Sequence, residues 1–300
     1  MQNDRSWTEI NLTNFEHNLK ELRKFLSPGI EIMQIVKADA YGHGAFQIAE
    51  RAVKCGVTFL GVANVDEGML LRYQGIEIPI LILSPSLENE IERIIGSGLT
   101  PSVSTVDFAE KLSNYTKSKD IRIKIHINID TGMGRSGIYA KEAIEIIKKI
   151  RNLENLEIEG IFSHYSASEN DQKYTQDQLK KFKQILSQLD FSPEYTHISN
   201  SSAVITSKDD FSNLVRIGLL SYGVYSDKSL EEKVKLKPVM TFKSRISQIK
   251  IADKGESIGY NRTYIASQKI KYAILPVGYA DGYDFMLSNK GKVLIKEKIC

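Results

Sequence analysis

From about residue 30 to about residue 230, eight short runs rich in β-branched and apolar residues alternate with segments of helical period, at intervals of roughly 20 to 40 residues. Beyond that the helical period disappears, and alternating strand-like runs joined by turn residues continue to residue 300. These two observations predict an α/β chain: a (β/α)8 TIM-type barrel over 8–230, then a smaller all-β domain over 231–300 that also takes in a strand at 6–12. The alternating part approaches the ~250 residues typical of such a barrel. An open doubly wound sheet satisfies the same alternation and ranks second.

The elements follow in order. SWTEINL (6–12) is a strand, and the helix after it is expected to start at an N-cap Thr13, with Glu16 three residues on completing a capping box. EIMQIVK (31–37), TFLGVA (58–63), IPILIL (78–83) and TPSVS (100–104) read as the first four barrel strands. IRIKIHINI (121–129), LEIEGIFSH (156–164), YTHIS (195–199) and NLVRIG (213–218) complete the eight. Between them AFQIAERAVK sets Phe46, Ile48, Ala49 and Val53 on one broad face, and NVDEGMLLRY, LENEIERII, KEAIEIIKKI and YTQDQLKKFKQILSQL carry the same period. KPVMTFKSRISQIKIADKGESIGYNRTYIASQKIKYAILPVGYADGY and KGKVLIKEKI supply the later β runs.

Composition narrows the function. With 40 Lys and Arg against 37 Asp and Glu, the net charge is +3 and no basic block follows a phosphate backbone, so nucleic acid is not the expected partner. Cys55 and Cys300 cannot make a disulfide framework, and MQNDRSWTEI lacks the apolar core of a signal peptide. No apolar run approaches the ~20 residues of a membrane span. The expected location is the cytoplasm.

In a barrel, reactive groups belong at the C-terminal ends of strands, below the βα loops. Those ends supply Lys37, then Asn128, Asp130 and Arg135, then His164, then His197, Asn200 and Ser201, then Arg216. Lys37 is followed by a turn-rich tail, Tyr41-Gly42-His43-Gly44, that reads as a flexible loop. Taken singly, the lysine is a solvated strand terminus, the arginines are surface or capping cations and the histidines are core side chains. Five strands ending this way point to one polar site. His17, His43, His126 and Trp7 keep the packing or surface role.

A site of Lys, Tyr, His and Arg without an acid pair suits an anionic, carbonyl-bearing cofactor. His164 and His197 lie on different strands with no carboxylate or Cys at ligand spacing, so no metal is expected. A lysine among cations and partly removed from water becomes a usable amine nucleophile for a Schiff base. Ser201, with the N–H groups of Gly218 and Leu219, can receive a phosphate.

VKADAYGHGA resembles the cofactor-lysine motif of the alanine racemases, pyridoxal-phosphate enzymes with a barrel followed by a β domain. DTGMGRSG, HYS, HISNS, VRIGLLSYG and LPVGYADGY are similar to that family's later motifs, in its order. The resemblance implies a racemase interconverting L- and D-alanine and supplying D-alanine for peptidoglycan. It makes Lys37 the residue that holds pyridoxal 5'-phosphate, and Lys37 and Tyr260 the two catalytic bases, one on each face. It puts Tyr41, Ser201, Gly218 and Leu219 on the phosphate, counts His164 and Asn200 among the cofactor residues, and faces Arg216 to the pyridine nitrogen. It gives Arg135 and Tyr279 to the substrate, Arg135 as a bidentate donor that supports the cofactor oxygen and the substrate carboxylate, and Tyr279 at the entrance. Tyr260 would come from the partner subunit of a homodimer, and its phenol would need positive charge nearby, from His164 or Arg216, to ionise.

Two departures qualify the match. Where many members carry a carbamate-modified lysine, this chain has Asn128, able to accept a hydrogen bond from Arg135 but without the charge; a serine or broad-specificity racemase is therefore an alternative. The chain also ends at Cys300 before the family's last motifs, so the β domain is expected to be incomplete. A barrel that carries the cofactor without catalysis, and a fold-related decarboxylase, are weaker alternatives because neither needs Tyr260.

Overall fold

Apolar runs bounded by turn residues become strands here because, in a parallel sheet with both faces covered, consecutive positions are buried. The computed structural model describes residues 4–207 and 211–300. Strand β1 (Ser6–Ile10) precedes helix α1 (Leu12–Arg23). The barrel strands are then β2 (Glu31–Ile35), β3 (Phe59–Val62), β4 (Ile80–Ile82), β5 (Thr100–Val103) and β6 (Ile123–Asp130). A two-residue strand β7 (Ile138–Tyr139) pairs beside β6, and β8 (Leu156–Phe162), β9 (Tyr195–His197) and β10 (Leu214–Ile217) follow.

The pairing order is β10-β2-β3-β4-β5-β6-β8-β9, parallel throughout. The ring closes between β9 and β10 through Asn213 N–H to Thr196 O (3.2 Å) and Arg216 N–H to Ser199 O (3.0 Å). This closed barrel replaces the open-sheet alternative. Met33, Ile35, Phe59, Leu81, Phe162 and Leu214 form a buried cluster from five different strands.

Helices α2 (Lys37–Gly42), α3 (Ala45–Lys54), α4 (Val65–Tyr73), α5 (Ile91–Gly96), α6 (Val106–Ser118), α7 (Ala143–Arg151), α8 (Gln172–Leu186), α9 (Ser201–Thr206) and α10 (Leu230–Lys233) fill the connections. The start expected at Thr13 moves to Asn11, whose side chain accepts from Asn14 N–H at 3.0 Å, while Glu16 pairs with Arg51 instead of closing a capping box. Asn11 is as good a cap as threonine, and the chain leaves β1 only one residue earlier.

Two compact units result: Asn11–Val239, and Met240–Cys300 together with β1. Residues 231–239 stay with the barrel unit. Asn18 exchanges hydrogen bonds with Lys237, donating to its carbonyl and accepting from its N–H, both at 2.7 Å. In the second unit β1 pairs antiparallel with β11 (Met240–Ser244), and β12 (Gln248–Ala252) pairs with β15 (Ile270–Ile274). β13 (Ser257–Ile258) with β14 (Tyr264–Ile265), and β16 (Leu294–Ile295) with β17 (Lys298–Ile299), make two short hairpins.

Candidate active site

Lys37 leaves β2 at the barrel mouth, and the tail after it is not a flexible loop. Ala38, Asp39, Ala40 and Tyr41 take φ of 52–55° and ψ of 39–51°, a left-handed helical turn built without glycine. Left-handed backbone costs roughly 1–2 kcal/mol per L-residue, so neighbouring groups must hold it. Glu67 does so from α4: one carboxylate oxygen accepts from Ala38 N–H and the other from Ala63 N–H, each at 2.8 Å. Asp39 accepts from Ala45 N–H at 2.7 Å, and His43 Nδ1 donates to Ala40 O at 2.9 Å. The turn lays the Tyr41 ring edge-on against Tyr222, with centroids 5.3 Å apart, and leaves Lys37 Nζ 6.0 Å from the Tyr41 ring.

At one end of the site Gly218 N–H donates to Ser201 Oγ at 2.6 Å. A Cβ on residue 218 would lie 3.2 Å from Tyr41 Oη and 3.6 Å from Ile35 Cβ, so glycine lets this backbone come close to the phenol. Burial, with Glu67 next, pushes the Tyr41 phenol up, and it remains an O–H donor at neutral pH. Asn200 caps α9 by accepting from Ala203 N–H at 2.9 Å, which fixes the position of Ser201.

At the other end Arg216, buried on β10, donates to Ser163 O (2.6 Å), Ile198 O (3.0 Å) and His197 O (3.2 Å). It also donates to His197 Nδ1 (2.5 Å) and His164 Nδ1 (2.9 Å). Burial, reinforced by Arg135, lowers the guanidinium to about 9, which leaves it a cation at neutral pH. His164 is held well below its ordinary value by burial and then by Arg216, Arg135 and Lys37. It is therefore neutral, and of the two groups expected to supply positive charge only Arg216 carries any.

Lys37, Tyr41, Arg135, His164, Asn200, Ser201, Arg216, Gly218 and Leu219 all line one cavity of about 470 Å³. Asp130 accepts from Gly132 N–H (2.9 Å) and Gly134 N–H (3.0 Å), anchoring the loop that carries Arg135. Asn128 also lines the cavity, but its amide donates to Ser136 Oγ at 3.2 Å. Tyr260 and Tyr279 belong to the other unit, where they are 86% and 70% exposed.

The model of the alanine racemase N-terminal domain matches residues 10–226, and that of the alanine racemase C-terminal domain matches residues 239–300. The chain belongs to the alanine racemase family. The alanine racemase of Halothermothrix orenii is 39% identical over 295 residues, 97% of this chain and 78% of that protein. The solved alanine racemase of Clostridium difficile 630 superposes with a TM-score of 0.95 at 34% identity, covering 100% of this chain and 80% of that one. That of Bartonella henselae, solved with covalently bound pyridoxal phosphate, superposes at 0.89 with 28% identity over 99% of this chain and 82% of its own.

Some groups in this family member were not singled out from sequence. Glu67 is one of two acids in the first turn of α4, where Asn64 caps the helix by accepting from Glu67 N–H at 3.0 Å. Glu169, Ser202 and Ser226 line the cavity next to Asn200 and Ser201, joined by Ser226 Oγ to Glu169 (2.9 Å) and Ser202 Oγ with Ser226 Oγ (2.7 Å). No local motif marks them, because three separate connections bring them together.

Proposed function

We propose that this chain is a pyridoxal-phosphate-dependent racemase that interconverts L- and D-alanine, with Lys37 and Tyr260 as its two proton carriers. The observation that carries the reading is the cavity's donor set. Three cations, Lys37, Arg135 and Arg216, line it with a single carboxylate, Glu169, among the described residues. Such a set fits a ligand bearing a phosphate at one end and a substrate carboxylate beside it. The approach of Gly218 to Tyr41 leaves no room for a side chain where the phosphate would be held.

When bound, the cofactor supplies an electron-withdrawing ring that renders the substrate α-hydrogen acidic. Tyr41 Oη, Ser201 Oγ and the N–H groups of Gly218 and Leu219 would hold the phosphate, Gly218 N–H giving up its bond to Ser201 Oγ to do so, and His164 and Asn200 would complete the cofactor's surroundings. Arg216, a donor only, would face the ring nitrogen and require it to be an unprotonated acceptor, so the ring would withdraw electrons less strongly. Proton removal and return must then be closely coupled, with Lys37 Nζ serving one face and Tyr260 Oη the other. Arg135 fixes the substrate carboxylate and Tyr279 lines the entrance. We extend the proposal to a homodimer in which Tyr260 of the partner subunit completes each cavity, and to a cytoplasmic enzyme supplying D-alanine for peptidoglycan. Among the described residues no helix is long and apolar enough to cross a membrane.

Asn128 favours testing serine as well, since its amide is engaged with Ser136 and brings no charge toward Arg135. The test is α-hydrogen exchange into heavy water from each enantiomer of alanine and of serine. Exchange from both enantiomers of alanine is expected; none from either sinks the proposal. Lys37→Ala should lose the yellow colour of the bound cofactor, and Tyr260→Phe should keep it while losing α-hydrogen exchange from one enantiomer and, with it, racemisation in both directions.

A further inference from the structure

A thread of polar side chains crosses the barrel interior. It starts at Arg216 and runs through His197 and His126 to Glu159. Arg216 Nη1 meets His197 Nδ1 at 2.5 Å, His197 Nε2 meets His126 Nδ1 at 2.9 Å, and His126 Nε2 meets Glu159 Oε2 at 3.2 Å. Lys124 Nζ closes the far end on Glu159 Oε1 at 2.5 Å. Both imidazoles are fully buried, and Glu159 and Arg216 are each 4% exposed.

Each proton in this thread has one allowed place. A guanidinium can only donate, so His197 Nδ1 accepts, and a neutral ring must then carry its proton on Nε2. That proton goes to His126 Nδ1, which leaves the His126 proton on Nε2, facing the carboxylate. Every bond therefore runs from Arg216 toward Glu159. Burial holds both rings below their ordinary range, in agreement with two neutral imidazoles. Hydrogen bonds from His126 and Lys124 outweigh burial at Glu159 and keep it ionised.

The chain is shaped to admit the thread. A Cβ on Gly160 would lie 2.4 Å from His126 Nδ1, so the middle of β8 has glycine where this ring crosses it. The β6–β8 register also shifts between Ile125 and His126, whose partners are Ile158 and Gly160, so that Glu159 is the extra, unpaired residue of β8 at a local irregularity. Arg216 meanwhile has no carboxylate among its hydrogen-bond partners in the described residues, only carbonyl oxygens and imidazole nitrogens. A buried cation left so is costly unless a counter-charge is delivered to it.

We infer that Glu159 is the counter-charge and positioning residue of Arg216, acting across the barrel interior through the oriented neutral rings of His126 and His197. Its catalytic consequence rests on the reading above that Arg216 meets the cofactor ring. Because Arg216 then touches cofactor and not substrate, disturbing the thread acts on kcat and leaves KM for alanine in place.

The experiment has two arms. In the first, 15N-histidine spectra of the cofactor-free wild-type protein at neutral pH should show His126 and His197 both neutral with the proton on Nε2. A protonated ring, or a proton on Nδ1 of His197, overturns the inference without any variant. In the second, Glu159→Gln keeps an acceptor oxygen for His126 but removes the charge. It should retain both tautomers and lower kcat about tenfold with KM changed less than about twofold, the scale of losing an outer partner to a ligating imidazole. A folded Glu159→Gln enzyme with unchanged kcat overturns the inference, and so does an equal loss in kcat/KM that comes from KM alone. If the wild type shows both tautomers yet does not racemise alanine, the functional proposal fails while the thread and its counter-charge stand.

Discussion

Lys37 owes its place to the four residues after it. Ala38 is solvent-exposed in the left-handed region, so its methyl group packs on little and mainly adds strain. Glycine there removes about 1–2 kcal/mol of strain and adds about 0.5–1 kcal/mol of chain entropy. Ala38→Gly should therefore be neutral or stabilising by up to about 1 kcal/mol in a urea titration. Ala52→Gly, fully buried in right-handed α3, should cost about 1 kcal/mol or more. Equal losses in the two variants would contradict the left-handed turn. At this scale the sequence named the lysine but not its setting, since local propensity disfavours a left-handed run of Ala-Asp-Ala-Tyr and part of what holds it, Glu67, lies 29 residues beyond Ala38.

Between elements, β6 and β8 carry the next test. Gly160→Ala presses a methyl group on the His126 ring and should cost about 1–3 kcal/mol by overpacking, read from the denaturant midpoint. No loss would mean that the ring is not where the structure puts it. His126 and His197, with His164 shifted in the same direction, also set a pH dependence. Their folded values are lowered by burial, whereas unfolding returns them to about 6.5. In that window the unfolded chain binds more protons, so their contribution is present above about pH 6.5 and is lost as pH falls toward the folded values. The urea midpoint should drop between about pH 7 and pH 5.5, by up to about 1.4 kcal/mol per unit for each ring. A flat profile would count against buried neutral imidazoles. All eight barrel strands were legible because a buried parallel strand is a continuous apolar run, but most of their ends overshot. EIMQIVK reads as strand to Lys37, whereas β2 ends at Ile35, because apolarity reports burial and not which backbone groups still pair.

For the whole molecule, the proposal turns on whether Tyr260 of a second copy completes each cavity. Mixing Lys37→Ala with Tyr260→Phe chains tests it. If the phenol comes from a second copy, each mixed dimer regains one intact site, and a random mixture should recover about one quarter of the wild-type rate of the interconversion that each variant alone lacks. If it comes from the same chain, the mixture stays inactive. The sequence by itself determined the strand order, the residues at the strand ends and the family, because those depend on apolar period and on motifs contiguous along the chain. Only the tertiary structure decided that burial holds the His164 imidazole well below its ordinary range, that two imidazoles link Arg216 to Glu159, and that Asn128 turns to Ser136. Each of those depends on burial and on partners from other strands, which set proton positions through distance and solvation, and neither quantity is written in neighbouring residues.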